Sequence, residues 1–89
     1  MDKVYLVEYC GYDSYKLYDI YINLDNAKKR LAELYKEAQE ECDMLNTSND
    51  EFGDTTRYSL EWNEDNTAFD MNCSIGTSET YQIKEQKVL

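Results

Sequence analysis

Carboxylates dominate the chemistry this chain can offer: nineteen Asp and Glu stand against nine Lys and Arg, with no histidine and three cysteines. Eleven of the acids (Glu37, Glu40, Glu41, Asp43, Asp50, Glu51, Asp54, Glu61, Glu64, Asp65 and Asp70) lie between positions 37 and 70, with Arg57 the one base among them. That stretch carries the whole formal charge of −10, and everything outside it sums to zero. Two acidic groups are dense enough to gather a divalent cation or to act as an acid and base pair: Asp50, Glu51 and Asp54, and Glu64, Asp65 and Asp70. Neither has the ligand spacing of a calcium loop with its closing bidentate glutamate. No carboxyl is singled out by surroundings that would tune it for proton transfer.

Other chemistries lack a component. Serine catalysis needs a base, and the usual one, histidine, is missing. GYDSYK has one glycine and no helix behind it, so it is not a phosphate-binding loop. Cys10, Cys42 and Cys73 form no CxxC pair, which argues for a reducing compartment and against a disulfide framework. Cys42 falls in the acidic end of a helix, where a thiolate is disfavoured, and Cys73 aligns with apolar neighbours. Both read as core, and Cys10 as the thiol nearest a loop. The chain is therefore expected to be non-enzymatic, with no metal and no cofactor.

The longest periodic segment must position these groups. Leu24, Ala27, Leu31, Leu34, Ala38, Cys42 and Leu45 recur at steps of three and four, so a helix is expected over 24–45 with Asn23 as its N-cap. Its charges run against the helix dipole: Lys28, Lys29 and Arg30 near the positive end, Glu37, Glu40, Glu41 and Asp43 toward the negative end. Pairs at i, i+4, Lys29–Glu33 and Lys36–Glu40, are expected to offset part of that cost.

Most of the remainder alternates with period two. Strands are expected over 3–9, with both faces partly buried, and over 15–22, joined by a turn at CGYDS. A polar loop over 46–55 follows the helix, with Phe52 pinning it to the core. Tyr58, Leu60 and Trp62 mark a third strand. A turn at NEDN leads to a fourth over 67–75, with Phe69, Met71, Cys73 and Ile75 on one face. The last strand, 80–89, places Tyr81 and Ile83 inward and guards an edge with Lys84, Glu85, Gln86 and Lys87. The order is ββαβββ: an α+β fold with a single antiparallel sheet of about five strands and one amphipathic helix on one face.

A chain of 89 residues makes one domain, 1–89, and its 42% apolar content with nine tyrosines is too rich in packable side chains for disorder. Tyr9, Tyr12, Tyr15, Tyr18 and Tyr21 crowd the first hairpin, where some face the helix and the rest suit a protein interface. No leader or membrane-length apolar run is visible, so a soluble cytoplasmic protein is expected. The negative field disfavours direct contact with nucleic acid or an anionic membrane and favours a basic protein partner.

KVYLVEY at 3–9, a glycine loop, and YDIYINLDNAKKRL at 18–31 together resemble the β-β-α opening of many small proteins encoded by bacteriophages and mobile elements. In those proteins the helix carries an alanine at the place of Ala27, and their last strand resembles YQIKEQKVL at 81–89. The resemblance covers about half the chain through structural motifs, and residues 40–70 have no counterpart in it. Together with size and acidity, it resembles phage-encoded inhibitors of host defence such as acidic anti-CRISPR proteins. That resemblance implies occupation of a basic groove on a host nucleic-acid-binding effector, sometimes as a DNA mimic, in the host cytoplasm.

The expected partner-binding residues are Glu37, Glu40, Glu41, Asp43, Asp50, Glu51, Asp54, Glu61, Glu64 and Asp65. Two alternatives stand beside this reading. One is a structural or assembly protein that homodimerises through the tyrosine-rich hairpin. The other is a small-molecule binder for signalling nucleotides, with Lys3, Lys16, Lys28 and Arg30 as its available cations.

Overall fold

The computed structural model describes residues 3–88. The chain runs β1 (Lys3–Cys10), β2 (Tyr15–Tyr21), α1 (Leu24–Glu51), β3 (Tyr58–Trp62), β4 (Ala68–Cys73) and β5 (Ser78–Lys87). One antiparallel five-stranded sheet, ordered β2-β1-β5-β4-β3, carries α1 on one face. The fold is α+β, as the two periodicities predict.

Asn23 caps the helix: its Oδ1 accepts from the amides of Asp25 (2.7 Å) and Asn26 (3.4 Å). The buried stripe is Ala27, Leu31, Leu34, Ala38 and Cys42, as the spacing of three and four requires. It lies on Val7 and Phe69, with Tyr5, Tyr18, Tyr21, Tyr35, Leu60, Trp62, Tyr81 and Ile83 packed around them. Under the helix the rings join in a chain of stacked and edge-on contacts: Phe69 stacks on Tyr81 at 4.8 Å, meets Tyr35 edge-on at 5.2 Å, and Tyr35 stacks on Trp62 at 4.9 Å. Offset and T-shaped contacts of this kind add about 0.5–1.5 kcal/mol each beyond buried area.

Several boundaries differ from expectation. The helix does not stop at Leu45 but continues to Glu51, so the loop shrinks to 52–57. Phe52 pins nothing; it is the C-cap residue and 85% exposed. Ile75 does not join Phe69, Met71 and Cys73, because β4 ends at Cys73 and Ile75 sits in the following turn, 72% exposed. In the first turn, a Cβ at Gly11 would meet Tyr9 Oη at 2.6 Å and Ser14 Oγ at 2.8 Å, so these two side chains would have to shift to admit one. Asn66 takes the left-handed conformation (φ 59°) that the turn after β3 needs.

The last strand is also not an edge. β5 lies at the centre of the sheet, between β1 and β4. β4 begins opposite Gln82, however, so residues 84–87 pair with β1 alone and their other side stays open. The charges still shield an unpaired backbone row, at the end of a central strand. Leu89, expected in this strand, lies outside the described residues.

The β1–β2 pairing carries a bulge. Val7 pairs with Asp19 and Glu8 with Leu17, leaving Tyr18 unpaired between them. Tyr18 and Asp19 both reach the helix side, Tyr18 against the core and Asp19 accepting from Arg30 Nε at 2.9 Å. A bulge breaks the strict alternation along a strand, and so re-aims side chains that the period alone would assign to opposite faces.

Candidate functional site

Helix α1 is about 42 Å long at 1.5 Å per residue, and its acidic half needs anchoring, because carboxylates near a helix C-terminus oppose the dipole. No basic residue lies in its last turn. The returning chain supplies the anchor instead. Asn46 donates from Nδ2 to the Tyr58 carbonyl oxygen (3.0 Å) and accepts at Oδ1 from the Tyr58 amide (2.9 Å). Asn49 donates to the Thr56 carbonyl at 3.0 Å. Arg57 donates to the Asn46 carbonyl at 3.3 Å and forms an ion pair with Asp50. The one base of the acidic stretch is thus placed against the negative end of the helix.

The ten expected contact residues divide accordingly. Glu37, Glu40, Glu41, Asp43 and Glu51 are exposed on α1, and among the described residues none has an ion-pair partner. The expected i, i+4 pairs do not form; the intrahelical pair is Arg30–Glu33, at 3.1 Å. Asp50 is held by Arg57. Asp54 accepts from the Thr56 amide at 2.9 Å, a bond that holds its carboxyl below the usual range. Asp65 accepts from Thr67 Oγ1 at 2.6 Å and is lowered for the same reason. Glu64 lies exposed in the β3–β4 turn. Glu61 projects from the sheet face opposite the helix, since Leu60 and Trp62 on either side of it face the core. The acidic stretch is therefore divided among a helix surface, the loop and turn that hold Asp54, Glu64 and Asp65, and Glu61 with Asp70 behind the sheet.

The cleft beside the helix surface has a volume of about 390 Å³ and is lined by residues including Tyr12, Glu41, Tyr58, Cys73 and Glu79. Tyr12, at the tip of the first hairpin, is 93% exposed. No base lines this cleft. The cations weighed for a nucleotide site lie elsewhere: Lys3 pairs with Glu85 at 3.0 Å, while Lys16 and Arg30 flank the Tyr18 ring at 4.5 and 5.8 Å. Cys42 is buried, and burial together with Glu41 and Asp43 pushes its thiol up. Cys10 and Cys73 are half-buried and free. Among the described residues, no three His, Cys, Asp or Glu side chains come together as metal ligands. No described helix is long and apolar enough to cross a membrane.

Sequence reasoning passed over the sheet face that α1 leaves uncovered. There Leu6 pairs with Ile20, Glu8 with Leu17, and Cys10 with Tyr15. Leu17 and Ile20 are exposed, yet Glu8 among them is only 4% exposed. Its two oxygens accept from Tyr15 Oη and from Gln82 Nε2, the latter at 2.7 Å. The signal available in the sequence was that both faces of the first strand are apolar. Comparison of the chain with family models, with curated proteins and with solved structures finds no match.

Proposed function

We propose that this chain is a non-enzymatic protein-interaction module whose acidic helix surface engages a basic surface of a host protein. The observation that carries the reading is the set of unpaired carboxylates Glu37, Glu40, Glu41, Asp43 and Glu51 on one rigid helix. Residues three and four apart on a helix stand about 5–6 Å from one another at Cβ, so Glu37, Glu40, Glu41 and Asp43 form an array that lysines and arginines can meet in register, with Glu51 about 12 Å further along the axis. Charge-assisted hydrogen bonds to arginine would supply affinity, and the field of the whole chain would speed encounter.

The finer reading rests on the resemblance of residues 3–31 and 81–89 to phage and mobile-element proteins. It makes the module an anti-defence inhibitor acting in the host cytoplasm. Its target is a nucleic-acid-binding effector whose basic groove it occupies in place of phosphates. The contact set narrows with the geometry: Asp50 and Asp54 serve the helix end and loop, and Glu61 faces away from α1.

Affinity capture from host lysate with the full chain, followed by titration of the purified partner at increasing salt, tests this. Binding should weaken steeply with salt, and reversing Glu37, Glu40, Glu41 and Glu51 to lysine should weaken it at least tenfold. Asp50 is left intact because Arg57 depends on it. Salt-insensitive binding, or a reversal without effect, sinks the reading.

A further inference from the structure

The face of the sheet behind the helix combines three features. The first is apolar: Val4 and Leu6 on β1 adjoin Leu17 and Ile20 on β2, and Ile20 is 57% exposed. Antiparallel sheets normally present a polar face to water when one side is uncovered. The second is the treatment of Glu8. On a solvated face a glutamate extends into water; here it lies buried, with both oxygens accepting hydrogen bonds from Tyr15 and Gln82. Its charge is satisfied within the surface, so an apolar surface can close over it without leaving a carboxylate unpaired.

The third feature is the placement of charge. Along β5, Lys84 lies two residues to one side of Gln82 and Thr80 two residues to the other, all on the open face. Thr80 Oγ1 donates to Asp70 at 2.7 Å, and Asp70 pairs across the sheet with Glu61. Like charges directly opposite are unfavourable, and among the described residues no base pairs with either. Glu61, Ala68 and Asp70 line a recess of about 220 Å³. Lys84 is exposed and has no ion-pair partner among the described residues.

We infer that this face binds a second copy of the chain. A two-fold axis lying across the strands, near the Glu8–Gln82 row, sets each copy's Lys84 over the other's Thr80 and Asp70. The same operation lays Leu6 and Ile20 on the other copy's Cys10 and Tyr15, and brings Leu17, Glu8 and Gln82 each onto its counterpart in the other copy. The two Glu8 carboxylates then face each other across the axis, each held within its own surface by Tyr15 and Gln82, and their like charge opposes closure. Packed sheets stand about 10 Å apart, a span that a lysine and a carboxylate reaching toward each other can bridge. The contact is isologous and closes at two copies. Both acidic helices then point outward, away from the interface and from each other. Four inter-strand gaps of about 4.8 Å and six residue steps of about 3.4 Å give a flat footprint of roughly 400 Å². That is half of the about 800 Å² per partner of a standard interface, so the contact is a small and weak one.

Sedimentation equilibrium of the full chain, from a few micromolar to several hundred micromolar, tests the inference. The wild type should pass from monomer to dimer over that range. Leu17→Glu and Ile20→Glu, at exposed positions, should each raise the dissociation constant at least tenfold while leaving the far-UV spectrum unchanged. Lys84→Asp and Asp70→Lys should each weaken the dimer, and the double exchange should restore it. A wild type that stays monomeric throughout overturns the inference and assigns the face to another occupant or to solvent. A dimer indifferent to Leu17→Glu and Ile20→Glu, or singly weakened variants that the double exchange does not rescue, overturns it as well.

Discussion

The carboxamide of Asn46 gives Tyr58 both hydrogen bonds that a neighbouring strand would give it, donating to its carbonyl oxygen at 3.0 Å and accepting from its amide at 2.9 Å. β3 is an edge strand, and at its first residue a helical side chain takes the place of a missing backbone partner. The link also explains why α1 outruns its apolar stripe. Its last six residues are held by polar bonds to the returning chain and not by burial.

Removing that link should be costly for a half-buried polar residue. Asn46→Ala leaves both backbone groups of Tyr58 without their partner, and it should lower stability by about 1–2 kcal/mol, as for lost hydrogen bonds to partly buried groups. Urea unfolding followed by tryptophan fluorescence reads it directly, since Trp62 lies in the same strand. A change within about 0.5 kcal/mol, the range of ordinary surface substitutions, would contradict the assignment.

Arg57 should control the end of the helix more than global stability. Its guanidinium is about half exposed and holds Asn46 and Asp50. Arg57→Gln should let residues 47–51 exchange amide hydrogens faster, with helix 27–42 unchanged. Hydrogen-exchange mass spectrometry resolves the two segments, and equal loss of protection in both would mean that Arg57 holds the whole fold.

Two phenylalanines should behave oppositely. Phe69 is fully enclosed by Tyr35, Trp62 and Tyr81, so Phe69→Ala should cost about 3–5 kcal/mol and unfold much of the population. Phe52→Ala removes an exposed ring and should stay within about 0.5 kcal/mol. Paired thermal melts separate them.

High pH should unfold the protein in a way that depends on Tyr81. Burial, then the neighbouring Tyr18 and Glu79, push its phenol well above the ordinary value of 10.0. A raised folded pKa means the folded state holds its proton more tightly. The associated stability is complete below about pH 10, the unfolded value, and is lost as pH rises beyond it. Tyr9 and Tyr21 shift in the same direction, chiefly through burial. Tyr81→Phe should flatten the alkaline limb of the stability curve, monitored by circular dichroism alongside phenolate absorbance. An unchanged limb would place the titration elsewhere.

At the acid end, Asp54 and Asp65 work the other way. Hydrogen bonds from Thr56 and Thr67 lower their carboxyls, so their contribution is present above the unfolded pKa and fades as pH falls through the lower folded value. Both groups are solvent-exposed loop carboxylates, and Asp54→Asn should change the acid midpoint only slightly.

The fold was largely legible from residue types and spacing. The apolar steps of three and four along 24–42, Asn23 before them, and the alternation of Tyr58, Leu60 and Trp62 are local signals, and local geometry alone turns them into a capped helix and a half-buried strand. The segregation of eleven acids into residues 37–70 is likewise a property of the chain itself. Tertiary structure decided the rest. Arg57, eleven residues after Asn46, neutralises the end of a helix whose apolar period had already run out. The bulge at Tyr18 broke the alternation that would have shown which side of β2 is open. Seventy-four residues separate Glu8 from Gln82, and only strand order makes them partners. Periodicity records which way one segment faces; it carries no information on which distant groups will meet.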